Sequence, residues 1–588
     1  MNIWILKYSK SGFLPDFINK AVGVSETISQ LEHHTIVEKA IGDFHLISIV
    51  TKFEKSQKKY IQFSNDLVSG YSGLLIGKDS INIDLRDIKN VFVDNLESYS
   101  GQFSLFNIHP DKFECVVDNF GFHKVFYFKI EDDIYVSNSM DLLKQTGLLV
   151  PDRTQMVLDL ITSRFGVYPG YETLFENVFT LPEYGKIQID SDGLSVSSRK
   201  NINELLQPNR SFEDQLNLVV NEFKNNAAYL RTYHHTVVPL SGGFDGRLIL
   251  SFFYNTTGKP LETMTYNRAG YLDFLIAGSL SKKFNVPHKK INIPTQLKDF
   301  EIAVSEFQNS TNDPFYFTFV KASKKFYKAD NCFKVSLGGN GADTDWEFGE
   351  KHLKSIDKSN FKSFVKSYSI FITKHTLVDE DFSKQMADKL EKYFLNKYAI
   401  FDNHPDFMKL LASAFFHLER FRGRQGFLYT QESNKNHDVF APFATESFNK
   451  LVFLANKNQL QRPLKQGINY RIYSTITEGK VPWAPVLTAK NEFGNNFLQK
   501  IVNYIFPYLP KIEWKLRNGD TNTRLRRAFS KKVNVISLNY LKTNEDEKLY
   551  QLIDGNKIKR DIDTVEYKGQ YNDIATMLKF IENNTRKK

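Results

Sequence analysis

Thr236-Val237-Val238-Pro239-Leu240-Ser241-Gly242-Gly243-Phe244-Asp245-Gly246-Arg247-Leu248-Ile249-Leu250 decides how this chain is read. The apolar run before Ser241 has the length and β-branching of a buried strand, and the apolar run from Arg247 onward reads as a helix. Two adjacent glycines between them let the backbone come close to a phosphate group, and the free amides of the following helix N-terminus favour negative charge. Asp245, one residue into that helix, is a hard oxygen donor that can hold Mg²⁺ against the same phosphates. The loop lacks the Lys-Ser/Thr ending of a Walker P-loop. A mere glycine-rich turn is the bland alternative, and the strand-before, helix-after context tells against it.

Working outward, the segments Leu261–Tyr266 and Cys332–Gly339 read as further strands with helical stretches between them. Strands alternating with helices imply a parallel sheet, which places ligands at the carboxyl ends of its strands. A helical stretch over 212–233 leads into the first of these strands. Upstream, residues 1 to about 200 carry short aromatic or β-branched segments separated by charged or glycine turns: 44–50, 102–108, 113–119, 124–130 and 133–139. The last two read as a hairpin, and the whole region as layered antiparallel α+β. Downstream the chain reads as mostly helical, including 407–428 and the final hundred residues. The expected organisation is therefore α/β and multidomain: 1–200, 201–485, and a helical extension, 486–588, packed on the middle domain.

At 588 residues the chain exceeds what one core can hold. With 41% hydrophobic and 24% charged residues it has the composition of a globular protein, which excludes a disordered tail. The net charge of +10 is spread over 77 basic and 67 acidic residues. The basic stretch Lys515–Lys532 is read as a solvated surface or the rim of a nucleotide pocket, so no nucleic-acid partner is expected. Only Cys115 and Cys332 are present, which gives no disulfide framework or cysteine metal site and suits a reducing cytoplasm. The apolar run Ile3–Leu6 is too short for a signal segment, and no window approaches the length of a membrane span.

The loop Ser241–Gly246 resembles the SGGxDS pyrophosphate loop of the asparagine synthetase superfamily, which includes β-lactam synthetases and lasso-peptide cyclases. Thr263-Met264-Thr265-Tyr266-Asn267, then Asp273-x-x-x-Ala277 and Phe284–His288, resemble the family's second strand and the elements after it. Gly338-Gly339-Asn340-Gly341-Ala342-Asp343 resembles its SGxGxDE loop, and Asp438–Phe443 its E-x-R-x-PFLD segment. The order is kept over roughly 40–480. The resemblance implies an Ntn-hydrolase-like N-terminal domain and a PP-loop ATP pyrophosphatase domain. It implies ATP and Mg²⁺ as cofactors, with Ser241, Gly242, Gly243, Phe244, Asp245 and Gly246 forming the phosphate loop. Leu240, Tyr266, Gly338 and Gly339 would surround the adenosine, and Asp245 and Asp343 would hold the metal. The implied reaction adenylates a carboxylate and passes the acyl group to an amine or ammonia. The partners expected are thus a small-molecule, sugar or peptide carboxylate and an amine donor, with a homo-oligomer left open.

Departures from the pattern shape the expectation. Gly246 stands where the family usually has a hydroxyl residue, Asn340 where an acid/base group often stands, and Thr344 where a glutamate follows the loop aspartate. The family's lysine four residues before an arginine is absent, since Gly467 precedes Arg471; Lys465 is the candidate taken in its place. Arg420, Arg422 and Arg424 do not share one helix face, so structural ion pairing is expected for most of them. Gly101-Gln102-Phe103 and Asp118-Asn119-Phe120-Gly121 resemble strand elements of the family's glutaminase, but that enzyme needs a cysteine where this chain has Asn2. A domain without glutaminase activity is therefore expected. The alternative is a nucleotide-binding homologue that has lost catalysis.

Overall fold

The structure is a computed structural model, and it describes residues 2–9, 34–51, 61–64, 66–77, 96, 99–163, 169–206, 209–241, 244–253, 256–267, 272–292, 334–337, 356–375, 377–415, 417–419, 422, 438–455, 543, 546–555, 557–558, 560, 577–578 and 581–582. The N-terminal strands are β1 (Asn2–Tyr8), β2 (His34–Ile41), β3 (Phe44–Thr51), β4 (Ile61–Phe63), β5 (Val68–Gly73), β6 (Ile76–Gly77), β7 (Tyr99–Ser100), β8 (Phe103–Ile108), β9 (Phe113–Val117), β10 (Phe126–Ile130) and β11 (Asp133–Ser137). Helices α1 (Met140–Gln145) and α2 (Arg153–Ser163) follow, then β12 (Phe179–Thr180), β13 (Gly185–Asp190) and β14 (Gly193–Ser198). Apart from β6 and β7, which pair with each other, they form two six-stranded sheets, β12-β10-β11-β1-β3-β2 and β14-β13-β9-β8-β5-β4, and every pairing within them is antiparallel.

The apolar run of β1 shows how the layers stack. Trp4, Leu6 and Tyr8 point into a core shared with Phe106, Phe113, Cys115 and Ile187 of the second sheet. Ile3 and Ile5, on the alternate positions, belong to a core with Met140, Leu143, Met156 and Ile161 of α1 and α2. Alternation along a strand sends successive side chains to opposite faces, so a run apolar at every position is what a strand covered on both sides requires. The expected hairpin is present: β10 and β11 pair with Ile130 opposite Asp133, around a two-residue turn in which Glu131 has φ 53°.

The second half holds α3 (Ile202–Leu206), α4 (Phe212–Tyr233), β15 (His235–Pro239), α5 (Phe244–Phe252), β16 (Leu261–Asn267), α6 (Leu272–Lys283), β17 (His288–Asn292), β18 (Lys334–Leu337), α7 (Phe361–Thr373), α8 (Glu380–Lys397), α9 (Phe407–Ala414), β19 (Asp438–Phe440), α10 (Glu446–Leu454) and α11 (Glu547–Leu552). Five strands make a wholly parallel sheet in the order β17-β16-β15-β18-β19. Helix α4 starts at the cap Ser211, whose hydroxyl accepts from the Asp214 N–H at 3.2 Å, with Glu213 and Asp214 in the first turn facing the positive end of the helix dipole. Its apolar positions 216, 219, 220, 223, 227 and 230 pack with Leu248, Ile249 and Phe252 of α5 and Phe448, Leu451 and Val452 of α10. The segment expected as one helix over 407–428 is α-helical as far as Ala414, and residues 415, 417–419 and 422 follow with π-type hydrogen bonding. Helix α11 joins the same large core as α2 and α7 through Leu549 and Ile553, and Asp546 at its start is held by Arg153. Among the described residues no helix is long and apolar enough to cross a membrane.

Candidate functional site

In chain order the parallel sheet reads third, second, first, fourth, fifth. The chain thus moves from β15 outward to β17, then returns to the other side of β15 for β18 and β19. At such a reversal the carboxyl-end loops of two neighbouring strands generally diverge, and it is there that open α/β sheets bind ligands. The reversal lies between β15, which ends at Pro239, and β18, which ends at Leu337; Val237 pairs with Ser336. The loops that continue these two strands begin at Leu240 and at Gly338.

The start of the first loop is clamped. Leu240 N–H donates to the Met264 carbonyl at 2.7 Å, and the Thr265 hydroxyl donates to the Leu240 carbonyl, so both main-chain groups of Leu240 are spent on β16. The Leu240 side chain is buried at 2% exposure, whereas Ser241 is exposed. Helix α5 then begins at Phe244, with Asp245 in its first turn. The strand-turn-helix is tight: a Cβ built on Gly246 would come within 2.8 Å of the Pro239 carbonyl oxygen and 3.4 Å of the Leu240 Cα. This supplies a reason for the missing hydroxyl at 246, because any side chain there meets the backbone of β15. Arg247, the next residue, is 2% exposed and packs inward.

The structure therefore brings Leu240, Ser241, Asp245 and Gly246 to one edge of the sheet, and Tyr266 to the same edge on β16, where it pairs with Ile291. The side chains of Phe244 and Tyr266 lie outside the described residues, as do Gly242, Gly243, Gly338, Gly339, Asn340, Asp343, Lys465, Arg420 and Arg424. For Mg²⁺, the donor set among the described residues at this edge is the Asp245 carboxylate, which fits a hard cation; among those residues no cluster of three or more His, Cys, Asp or Glu could hold a metal by itself.

The N-terminal domain reaches the same edge. β19 lies beside β18, and its chain continues into Ala441, whose N–H donates to Gln102 Oε1 at 2.8 Å while Gln102 Nε2 donates back to the Ala441 carbonyl at 3.3 Å. Gly101 has φ 110°, and a Cβ there would sit 2.1 Å from the Leu74 carbonyl oxygen, so the Gly-Gln-Phe element needs its glycine for a close backbone crossing. Asp118 accepts hydrogen bonds from the N–H groups of Phe120, Phe122 and His123 at 3.1, 3.0 and 2.7 Å. Its carboxylate is thereby the nucleus of a tight turn. Cys115 is fully buried between the two sheets, and burial pushes its thiol well above the usual range, which rules out a nucleophilic role for it. Asn2 opens β1 opposite Val50; Cys332 lies outside the described residues.

A buried charge network missed by the sequence reading joins the two halves. Lys397 Nζ lies 2.9 Å from Glu183 Oε1 and 3.0 Å from Glu419 Oε1, and Arg422 Nε lies 3.0 Å from Glu183 Oε1. Tyr171 donates to Glu183 at 2.7 Å, and Tyr393 and Tyr398 donate to Glu419 at 3.1 and 2.5 Å. Two carboxylates face one ammonium and one guanidinium, so the cluster is neutral overall. Burial by itself would raise the Glu183 carboxyl, but Lys397 and Arg422 outweigh it and hold it at about 2. At Lys397 burial is outweighed in turn, and Glu183 and Glu419 hold its ammonium well above the usual lysine range. The structural role expected for most of the three arginines is the one Arg422 has. Partners more than two hundred residues apart leave no local signal, and a run of charged and aromatic residues near 419–422 was the only hint.

No protein-family model and no curated protein matches the sequence. Solved structures with a similar course of chain include an allosteric regulatory enzyme of purine biosynthesis, 7% identical over 49% of this chain and 80% of that one, with a TM-score of 0.24. Another is glutamine phosphoribosylpyrophosphate amidotransferase from B. subtilis in complex with ADP and GMP, 8% identical over 56% of this chain and 94% of that one, with a TM-score of 0.24. A third is glutamine-dependent NAD+ synthetase from Acinetobacter baumannii in complex with ADP, 14% identical over 35% of this chain and 47% of that one, with a TM-score of 0.18. At such scores the functional reading rests on the chain's own residues.

Proposed function

We propose that this chain is an ATP-dependent carbon–nitrogen ligase of the asparagine-synthetase type, forming AMP and pyrophosphate, with a glutaminase-like N-terminal domain that does not hydrolyse glutamine. The observation that supports the reading is topological: β15 and β18, the strands that in sequence immediately precede the two glycine- and aspartate-bearing segments 240–246 and 338–343, are parallel neighbours at the reversal point of the sheet. In this reading residues 1–200 are Ntn-hydrolase-like, 201–485 form the PP-loop synthetase domain and 486–588 are an extension packed on it. Cytoplasmic localisation belongs to the same proposal, on cysteine usage alone.

A carboxylate oxygen of the substrate attacks the α-phosphorus of ATP, and the bond to the bridging oxygen breaks, so that pyrophosphate leaves with the electron pair. An amine nitrogen then attacks the acyl carbon, loses a proton and expels AMP. In this reading the amides from Ser241 to Gly243 and at the start of α5 would stabilise charge that grows on the departing phosphates, a contribution that preorganised donors make without reorganisation. Mg²⁺, when bound, neutralises phosphate charge; Asp245, with Asp343 as second donor, would hold it. Lys465 is assigned to the departing pyrophosphate. The acyl acceptor is ammonia or an external or internal amine, since Asn2 offers no thiol and Cys115 is sealed in the core.

Exchange of labelled pyrophosphate into ATP, with Mg²⁺ and a panel of small-molecule, sugar and peptide carboxylates, tests the reading. Exchange with one acid, lost in Asp245→Asn, is the expected result. Tight ATP binding with no exchange for any acid would replace it with the second reading, a nucleotide-binding homologue without catalysis, which the absent hydroxyl at Gly246 favours.

A further inference from the structure

Apart from the nucleotide edge, a cavity of about 360 Å³ lies between the N-terminal sheets and the helices of the second half. Ser100, Asp118 and Asn119 line it from one side and the start of α10, Thr445–Ser447, from another. The third wall is one stripe of α4: Gln215, Leu218, Glu222 and Asn225, spaced three and four apart, with Asn221 and Asn226 beside them. The opposite, apolar stripe of the same helix is used up in the core. On this stripe Gln215 and Glu222 hold Ser447 at the start of α10.

Its chemistry is selective. Six primary-amide side chains line the cavity: Asn119, Asn209, Gln215, Asn221, Asn225 and Asn226. Among the described residues three cations, Lys200, Arg210 and Lys450, are matched by three acids, Asp118, Glu222 and Glu446, so these residues give the walls no net charge with which to hold a phosphate or a polyanion. Several of these groups are locked by the protein: Gln215 Nε2 donates to the Ser447 carbonyl at 2.7 Å, Lys450 to Glu446 at 2.8 Å, and the Ser100 hydroxyl to Asn226 Oδ1 at 3.1 Å. Asn226 is only 4% exposed, and among the described residues its Nδ2 has no hydrogen-bond partner.

We infer that this cavity binds a neutral, hydroxyl-rich small molecule of the sugar class. Amides donate and accept side by side, the pairing that vicinal hydroxyls offer in return. The side chains of Tyr99, Phe103 and Leu218, the last 37% exposed, supply apolar surface for the C–H face of a ring. The volume falls within the usual range of small-molecule pockets, roughly 300–1,000 Å³. The site stands apart from the adenylation reading: a sugar can bind here whether or not pyrophosphate exchange is found.

Saturation-transfer NMR on the full-length chain with methyl α-D-glucoside, N-acetyl-D-glucosamine and maltose tests it. Transfer to at least one of the three is expected, with affinity about tenfold weaker in Asn226→Leu, the change that corresponds to one lost interaction of about 1.4 kcal/mol. Asn221→Trp, at an exposed position on the cavity wall, should abolish it while leaving thermal unfolding unchanged, which keeps the test valid if Asn226→Leu folds poorly. Silence from all three sugars, transfer that survives Asn221→Trp, or transfer to L-glutamine in their place would overturn the assignment.

Discussion

Gln102 holds Ala441 by both of its main-chain groups, one bond in each direction, across 339 residues of sequence. Both are buried, and Ala441 directly follows β19, so an amide of the N-terminal domain is part of the carboxyl edge of the parallel sheet. Gln102→Ala should cost about 2–4 kcal/mol, because it leaves a main-chain donor and acceptor unmet inside the protein. Gln102→Glu, which keeps the acceptor, should lie between. Urea unfolding of the three proteins decides it, and equal midpoints would show that the clasp is incidental.

Gly246→Ser restores the hydroxyl usual in the family the loop resembles. Here it is expected to do harm: the new Cβ meets the Pro239 carbonyl at 2.8 Å, and overpacking of this kind costs about 1–3 kcal/mol. Lower unfolding temperature and weaker ATP binding together are the expected outcome. A gain in either would mean that the turn opens more easily than its packing indicates.

Lys397→Met removes the ammonium shared by Glu183 and Glu419, and should destabilise by roughly 3–5 kcal/mol, the range for stranding a buried charge. The same network sets acid sensitivity. Glu183 titrates near 2 in the folded chain and near the ordinary carboxylate value when unfolded, so its contribution is complete above about pH 4.5 and drains away as pH falls toward 2. In Glu183→Gln that part of the acid transition should vanish from a pH series of denaturation midpoints.

Asp159 works in the opposite sense. Burial, helped by Glu172 and Asp152, raises its carboxyl to about 7 against the lowering effect of the Gln155 amide, which donates to it at 2.9 Å. A raised carboxyl pKa favours the folded state at low pH, and the advantage is lost as pH climbs from about 4 through 7. Asp159→Asn should thus unfold later than the parent at pH 8, by about 1–2 kcal/mol for this partly exposed group, with the gain shrinking toward pH 5. No pH dependence of the difference would place the group in water.

Much of the fold was legible because its signals are local. Alternating and continuous apolar runs marked β3, β8, β9, β10 and β11, and the composition around Ser241 marked a strand, a turn and a helix, since periodicity and φ/ψ freedom are properties of neighbours in sequence. The candidate site was legible to the same extent. Loop residues could be nominated one by one, and Leu240, Ser241, Asp245 and Gly246 stand together at the carboxyl edge. The nominated Asp343 and Lys465 lie outside the described residues.

By itself the sequence marked β3, β8 to β11, β15, β16, β18 and α4, implied that the middle strands run parallel, and placed Asp245 at the start of a helix after two glycines. Only the tertiary structure decided the strand order that makes β15 and β18 neighbours, the clasp of Gln102 on Ala441, the Glu183–Lys397–Glu419–Arg422 cluster and the amide-lined cavity beside α4. Those depend on groups hundreds of residues apart meeting within about 3 Å, where burial strengthens each charge and each hydrogen bond, and no local pattern encodes such a meeting.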